Sequence, residues 1–108
     1  MENKTAVTTL SALAQESRLT IFRTLVQAGP DGMAAGKISE TTGIPPSSLS
    51  FHLKEMSYAG IVNSRQKSRY IYYSANFKVM NELLAFLTEN CCAGVACGVE
   101  TPCCEEDA

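Results

Sequence analysis

The hydrophobic positions of the first 30 residues recur at the three- and four-residue spacing of an amphipathic helix. In the segment LSALAQESRLTIFRTLVQAG, the apolar residues Leu19, Phe22 and Val26 fall on one helical face, and Gly29 with the following proline ends the run. Ser17 is a candidate N-cap inside that segment. The pattern therefore predicts two helical pieces that are separated near Ser17.

Residues 34–60 contain a second pair of predicted helices. The segment AAGKISETTG predicts a short helix with Gly43 as its C-terminal stop, followed by a tight turn. The segment PSSLSFHLKEMSYAG begins with proline, carries one apolar face and stops at Gly60; the apolar face consists of Leu49, Leu53 and Met56. Two helices joined by a short turn that contains glycine predict a helix-turn-helix.

The segment IVNSRQKSRYIYYS and the residues after it predict a hairpin and a last helix. Branched and aromatic residues flank the polar tip RQKSR, which is typical of a two-stranded antiparallel hairpin. The last helix is expected to begin at the candidate cap Asn76 and to run to about Asn90. It carries two adjacent apolar rows, which are Phe77, Met80, Leu84 and Leu87 in one and Val79, Leu83 and Phe86 in the other.

So wide an apolar surface needs cover on two sides. In a chain of 108 residues, one cover is the body of the domain, and we expect the other to be a second copy of the chain. The alternative is that both rows belong to the internal core. The elements together predict a mainly α fold with a small β-hairpin: a homodimeric winged helix-turn-helix with about five helices and a two-stranded antiparallel wing.

The net charge of −2 is unevenly distributed along the chain. Residues 37–78 contain six Lys or Arg and two acids, a balance of +4, whereas residues 79–108 contain six acids and no Lys or Arg, a balance of −6. No segment is apolar enough to span a membrane, and the start MENKTAVTTL lacks the pattern of a signal peptide, so we expect a cytoplasmic protein. The basic middle and the acidic end indicate two different tasks.

The second helix of the helix-turn-helix and the basic hairpin are the candidate DNA-binding elements. A helix presented after a turn fits the major groove, and cations on a hairpin can reach the adjacent backbone. The candidate DNA-binding residues are Ser47, Ser48, Ser50, His52, Lys54, Arg65, Lys67 and Arg69. Two alternatives stay open, namely that the hairpin cations are merely solvated and that His52 is a buried, hydrogen-bonded side chain. The order helix, turn, helix and basic hairpin favours a winged helix that binds DNA.

The segments SSLSFHLKEMSYAGIV and SRQKSRYIYYS resemble the recognition helix and wing of the ArsR/SmtB family of metal-responsive winged-helix repressors. The resemblance covers about residues 7–90, and its most specific part is the pattern S-x-H-L-x-x-x-x-x-A-G-I-V, which begins at Ser50. It implies a homodimer through the first and last helices that binds an imperfect inverted repeat in a promoter. It also implies that an inducer releases the protein from this DNA.

All five cysteines follow the last predicted helix, and they bear on the identity of the inducer. The recognition helix begins with IPPSSLSFH and so lacks the Cys-x-Cys pair of many arsenic sensors of the family. The last helix offers only Glu82 and Glu89, without a histidine, for the zinc site that other members have. Adjacent Cys91 and Cys92 with a nearby Cys97 resemble instead the C-terminal arsenite site of one subgroup.

The chemistry of three thiolates favours the same assignment. Thiolates suit soft or thiophilic centres, and three of them balance the charge of trivalent arsenic or antimony, whereas zinc or cadmium would leave −1 beside Glu89 and Glu100. Residues 1–90 are therefore predicted to be the DNA-binding and dimerisation domain, and residues 91–108 an effector-binding tail. The expected effector is As(III) or Sb(III), and no cofactor is expected in the effector-free repressor.

Several alternatives to this assignment stay open. Cys103 and Cys104 could supply a fourth sulfur for Zn, Cd or Pb, pass arsenic to the first three thiols, or take no part. The inducer could be a methylated trivalent arsenical, or the thiols could sense redox state, although a helix C-terminus among acids disfavours reactive thiolates. An enzyme is disfavoured because the chain has no C-x-x-C, no Gly-rich phosphate loop and no histidine near the cysteines.

Overall fold

A computed structural model of the protein describes residues 1–90. The elements, in chain order, are α1 (Asn3–Leu13), α2 (Glu16–Ala28), β1 (Met33–Ala34), α3 (Ala35–Thr42), α4 (Pro46–Tyr58), β2 (Val62–Lys67), β3 (Tyr70–Ala75) and α5 (Phe77–Leu87). Five helices and a small antiparallel sheet confirm the predicted mainly α, winged helix-turn-helix fold. The predicted boundary after residue 90 lies at the edge of the described residues and stays a prediction.

The core lies where α2, α3 and α4 meet the base of the sheet. Its most deeply buried members are Ile21, Leu25, Ile38, Leu53, Met56 and Ile61, each at most 2% exposed. Burying side chains of this size stabilises the fold by about 1.5–3 kcal/mol each, so this cluster holds α4 and the base of the hairpin in place.

The break between the first two helices lies at Ala14 and Gln15, which confirms the predicted break near Ser17, but Ser17 as the cap was wrong. Gln15 has extended backbone and is the N-cap, but its side chain makes no capping hydrogen bond. Ser17 lies inside the first turn of α2. Leu19, which was predicted to share the inward face with Phe22, is 47% exposed.

The turn of the helix-turn-helix follows the predicted pattern. Gly43 ends α3 in the left-handed conformation, with φ 77° and ψ 7°, and its N–H donates to the Ser39 carbonyl at 2.8 Å. The Ser39 hydroxyl donates to the Ile44 carbonyl at 2.6 Å, which ties the turn back to α3. Pro46 is the first residue of α4, where its missing N–H costs nothing.

The sheet has three strands in the order β1-β3-β2, so the predicted two-stranded wing was incomplete. The hairpin pairs Val62 with Ala75 at its base and Lys67 with Tyr70 at its tip. The added strand, β1, is two residues long and pairs Met33 with Tyr73. It anchors the base of the wing to the segment before α3.

The last helix begins as predicted and ends earlier than expected. The Asn76 side chain accepts a hydrogen bond from the Val79 N–H at 3.2 Å and so caps α5. The helix ends at Leu87 rather than near Asn90, which has a left-handed φ of 57°. Leu83 is buried, and Val79 packs against the core.

Candidate nucleic-acid interface

The recognition helix α4 has a buried face and an exposed face. Leu49, Leu53 and Met56 are at most 2% exposed and hold the helix on the core, as their spacing predicted. The exposed side chains on the other face are Ser47, Ser48, Ser50, Phe51, Lys54 and Tyr58. This face therefore presents hydroxyl groups, one ammonium group and two large aromatic rings.

The N-terminus of α4 adds backbone donors to the same surface. Its N-cap, Pro45, makes no side-chain capping bond, so the N–H groups of the first turn have no side-chain acceptor there. Free N–H groups and the positive end of the helix dipole favour phosphate. The hydroxyls of Ser47 and Ser48 lie exposed beside these groups.

His52 does not share the exposed surface of its helical neighbours. It is 8% exposed, and its Nδ1 accepts a hydrogen bond from the Arg18 Nε–H at 3.2 Å. Its ring also lies edge-on to the Phe51 ring, with the centroids 5.8 Å apart. The geometry corresponds to the buried, hydrogen-bonded alternative, and it leaves the ring of His52 beneath the surface rather than on it.

Arg65 and Lys67 share one face of the wing with two tyrosines. In the hairpin register, Arg65 lies opposite Tyr72 and Lys67 lies opposite Tyr70. The Arg65 guanidinium carbon is 5.9 Å from the Tyr72 ring centroid, and an Nη donates to the Asp31 carbonyl at 3.2 Å. Arg65 is thus held against the base of the wing, and Lys67 extends the basic row towards the tip.

Arg69 lies in the turn between the two strands of the wing. The preceding residue, Ser68, has a left-handed φ of 62° and makes the tight reversal possible. Arg69 is therefore at the outermost point of the wing rather than in the strand row of Arg65 and Lys67. Two of the three wing cations thus lie along a strand, and the third lies at the tip.

Cations without a carboxylate partner among residues 1–90 characterise the recognition surface. Within residues 1–90, the one ion pair joins Lys37 Nζ to Glu40 Oε1 at 3.2 Å, on the exposed side of α3. The candidate cations Lys54, Lys67 and Arg69 lie at exposed positions. Uncompensated cations on a helix and an adjacent hairpin can neutralise the phosphates of a duplex.

A second exposed surface is apolar and lies on the helices at the two ends of the described chain. Val7 and Leu10 on α1 are 61% and 41% exposed, and Leu84 and Leu87 on α5 are 53% and 56% exposed. A mainly apolar groove beside them is lined by Leu13, Leu19, Phe22, Val26, Met80, Leu83 and Leu84, together with Arg23 and Gln27. The wide apolar surface predicted for α5 is therefore only half covered by the rest of this described domain.

The predicted effector ligands Cys91, Cys92 and Cys97 lie outside the described residues, as do Cys103 and Cys104. Residues 1–90 contain no group of three His, Cys, Asp or Glu side chains placed to hold a metal ion. No helix in this part of the chain has the length and apolar character needed to cross a bilayer. The candidate interface consists of the exposed face of α4 and the wing.

Comparison with known proteins identifies the family. A helix-turn-helix domain model matches residues 13–65. The arsenical resistance operon repressor of Bacillus subtilis is 33% identical over 81 residues, which cover 75% of this chain and 73% of that protein. The chain belongs to the ArsR/SmtB family of winged-helix transcriptional regulators.

Other members of the ArsR/SmtB family resemble the chain to a similar degree. The transcriptional activator HlyU of Vibrio cholerae is 34% identical over 82 residues. The solved structure of HlyU has a TM-score of 0.64 and covers 81% of this chain and 97% of its own. A homodimeric winged helix-turn-helix DNA-binding domain from Mycobacterium bovis has a TM-score of 0.66 at 25% identity, covering 79% of this chain and 76% of its own.

Membership in the ArsR/SmtB family makes the chain a DNA-binding transcriptional regulator. The chain spans between 61 and 73% of the lengths of four curated relatives. These relatives are transcriptional regulators rather than enzymes. The individual DNA-binding residues predicted from the sequence stay predictions. The geometry also brings Arg18 of α2 against α4, a contact for which the sequence has no local signal.

Proposed function

We propose that this member of the ArsR/SmtB family is an arsenite-responsive repressor. It binds an operator as a homodimer and is released when As(III) or Sb(III) binds Cys91, Cys92 and Cys97. The observation that carries the DNA-binding part is the exposed polar face of α4 beside a wing whose cations lack carboxylate partners within residues 1–90. The effector part depends on the cysteine spacing and on the charge balance of three thiolates.

A second copy of the chain is the expected cover for the apolar surface of α1 and α5. Four large side chains there, on the two helices, are between 41 and 61% exposed. An inverted repeat requires that the two-fold axis of such a dimer set the two α4 helices on successive major grooves, about 34 Å apart. The homodimeric state of the neighbour from Mycobacterium bovis supports a homodimer.

The position of the cysteines supports a coupling between effector and DNA. Cys91 follows the end of α5 by four residues. The Asn76 side chain at the other end of α5 donates from Nδ2 to the carbonyl of Gly60, directly after α4, at 2.9 Å. A displacement of α5 would thus act on the dimer surface and on the end of the recognition helix. A coupling free energy of about 1–3 kcal/mol would weaken DNA binding about 5- to 150-fold.

Operator release tests the effector assignment. A duplex selected from random-sequence DNA by the wild-type protein serves as the probe, and fluorescence anisotropy measures affinity with and without sodium arsenite. We expect arsenite to release the wild type but not Cys91→Ser, Cys92→Ser or Cys97→Ser. The matched control is the double change at Cys103 and Cys104, which should respond as the wild type does. Normal release of the three single variants would show that the site is elsewhere.

The same assay separates the alternative effectors. Two sulfurs suffice for a monomethyl arsenical, so a Cys97→Ser variant that still responds to methylarsenite and not to arsenite would favour a methylarsenite-selective repressor. Release by Cd or Pb that also requires Cys103 or Cys104 would favour a divalent-metal sensor with four thiolates. Release by an oxidant alone, reversed by a reductant, would favour redox sensing. A monomeric mass in solution would contradict the homodimer.

A further inference from the structure

Arg18 joins the second helix to the recognition helix across 34 residues of sequence. Its Nε–H donates to His52 Nδ1 at 3.2 Å. Its guanidinium carbon lies 5.9 Å from the centroid of the Phe51 ring. Because Phe51 is 57% exposed on the outward face of α4, this contact places the guanidinium at the edge of the surface that faces DNA.

The charge of Arg18 is not balanced by the described residues around it. Within residues 1–90 its hydrogen-bond acceptor is His52, and it forms no ion pair with a carboxylate there. The side chain is half-buried, so it has lost part of its hydration. A guanidinium whose Nε is committed to His52 still has donors on both Nη atoms. An anion with several acceptor oxygens would satisfy them.

His52 and Phe51 restrict where those donors can point. Because a guanidinium can only donate, the acceptor of this bond is His52 Nδ1, and burial of the ring holds that acceptor in place. The Phe51 ring limits the guanidinium on a second side. A planar guanidinium held in this way loses less side-chain entropy when it binds than a free one.

We propose that Arg18 is a phosphate-binding residue of the DNA interface and that His52 positions it. The ligand is a phosphate of the duplex backbone next to the major groove that α4 enters. This inference rests on the proposed binding of operator DNA by α4 and is independent of the effector. It assigns His52 an indirect role in DNA binding instead of a contact with bases.

The salt dependence of binding to a random-sequence 24-base-pair duplex tests the role of Arg18. Each phosphate contact contributes about 0.9 to the slope of log K against log[NaCl], so Arg18→Gln should lower the slope by about 1.8 per dimer. Arg23→Gln removes the same charge from an exposed position one and a half turns further along α2 and is the matched control. Its slope should remain close to that of the wild type, and the dimer mass should be unchanged in both variants.

Two changes at His52 test the positioning role. In His52→Asn, the amide oxygen lies near the position of Nδ1 and can accept from Arg18, so this variant should keep the wild-type slope. In His52→Leu, the acceptor is lost, and the slope should fall as in Arg18→Gln. A merely structural role for His52 would lower the thermal midpoint of both variants and leave the slope unchanged.

The outcomes distinguish this inference from the proposed function. If the wild type binds the duplex and Arg18→Gln has the wild-type slope, Arg18 does not contact phosphate and the inference is wrong. If Arg18→Gln and Arg23→Gln lower the slope equally, the effect is one of net charge, which also overturns it. If the wild type does not bind duplex DNA at all, the proposed function itself fails, and the inference fails with it.

Discussion

Asn76 connects three parts of the domain, and changes at this residue should separate local from tertiary stabilisation. Its Oδ1 accepts from the Val79 N–H at 3.2 Å and caps α5. Its Nδ2 donates to the Gly60 carbonyl at 2.9 Å, and its backbone N–H donates to the Ile61 carbonyl at 2.9 Å. The backbone bond survives any substitution other than proline, so only the two side-chain bonds are tested.

Serine and alanine at position 76 remove those bonds one at a time. Asn76→Ser keeps a good capping oxygen but leaves the half-buried Gly60 carbonyl without its donor, which should cost about 1–2 kcal/mol of the free energy of unfolding. Asn76→Ala also loses the cap, which costs about 1 kcal/mol more. The expected losses are therefore about 1–2 kcal/mol for serine and about 2–3 kcal/mol for alanine.

Urea unfolding followed by circular dichroism at 222 nm measures both losses. With a slope of about 1–2 kcal/mol per molar urea, Asn76→Ala should lower the midpoint by roughly 1–3 M. All variants must be compared at one protein concentration, since dissociation of a dimer adds to the apparent stability. A serine variant as stable as the wild type would show that the bond to Gly60 contributes nothing. Equal stability of Asn76→Ser and Asn76→Ala would show that the capping bond to the Val79 N–H contributes nothing.

Two further substitutions test the wing. Gly32→Ala should lower the free energy of unfolding by more than about 2 kcal/mol, because φ is 76° and a Cβ would lie 2.2 Å from the Tyr73 carbonyl oxygen. Gly43→Ala is the control: its φ is 77° but the space around it is open, so it should cost only about 1 kcal/mol. Equal losses of the two variants in urea unfolding would refute the steric contribution. Lys67→Ala should weaken binding to all duplexes and lower the slope of log K against log[NaCl] by about 0.9 per protomer. Lys78→Ala on α5 is the control and should leave this slope unchanged. An unchanged slope for Lys67→Ala would argue against phosphate contact.

Signals that act within a few residues were predictable from the sequence. Gly43 ends α3 because only glycine takes the left-handed conformation there at little cost, and Pro46 begins α4 because its ring fits the first helical turn. Asn76 caps α5 through its own side chain. In each case the residue that carries the signal is also the residue that makes the local structure.

Helix ends without such a residue were less predictable. Ser17 is a good capping residue, yet α2 begins at Glu16 after Gln15, whose side chain makes no cap. Packing of α2 on the core therefore decides where this helix begins. Likewise, β1 has two residues and no periodic pattern, and it exists because Met33 lies beside Tyr73 of the wing.

The recognition surface also contains some features that the sequence predicts and others that it does not. The apolar spacing in α4 determined that Leu53 faces the core and that Ser47 and Lys54 face outward. A helical pattern could not decide whether His52, on the flank, is exposed or buried. That depended on Arg18, which lies 34 residues earlier and whose guanidinium meets the ring only in the folded chain.

The sequence by itself determined the winged helix-turn-helix order and the outward face of the recognition helix. These properties follow from the spacing and type of neighbouring residues, which a chain carries whether or not it is folded. The tertiary structure alone decided the third strand, the bond from Asn76 to Gly60 and the placement of Arg18 beside His52 and Phe51. These contacts join residues far apart in the chain, and their geometry depends on how the whole core packs.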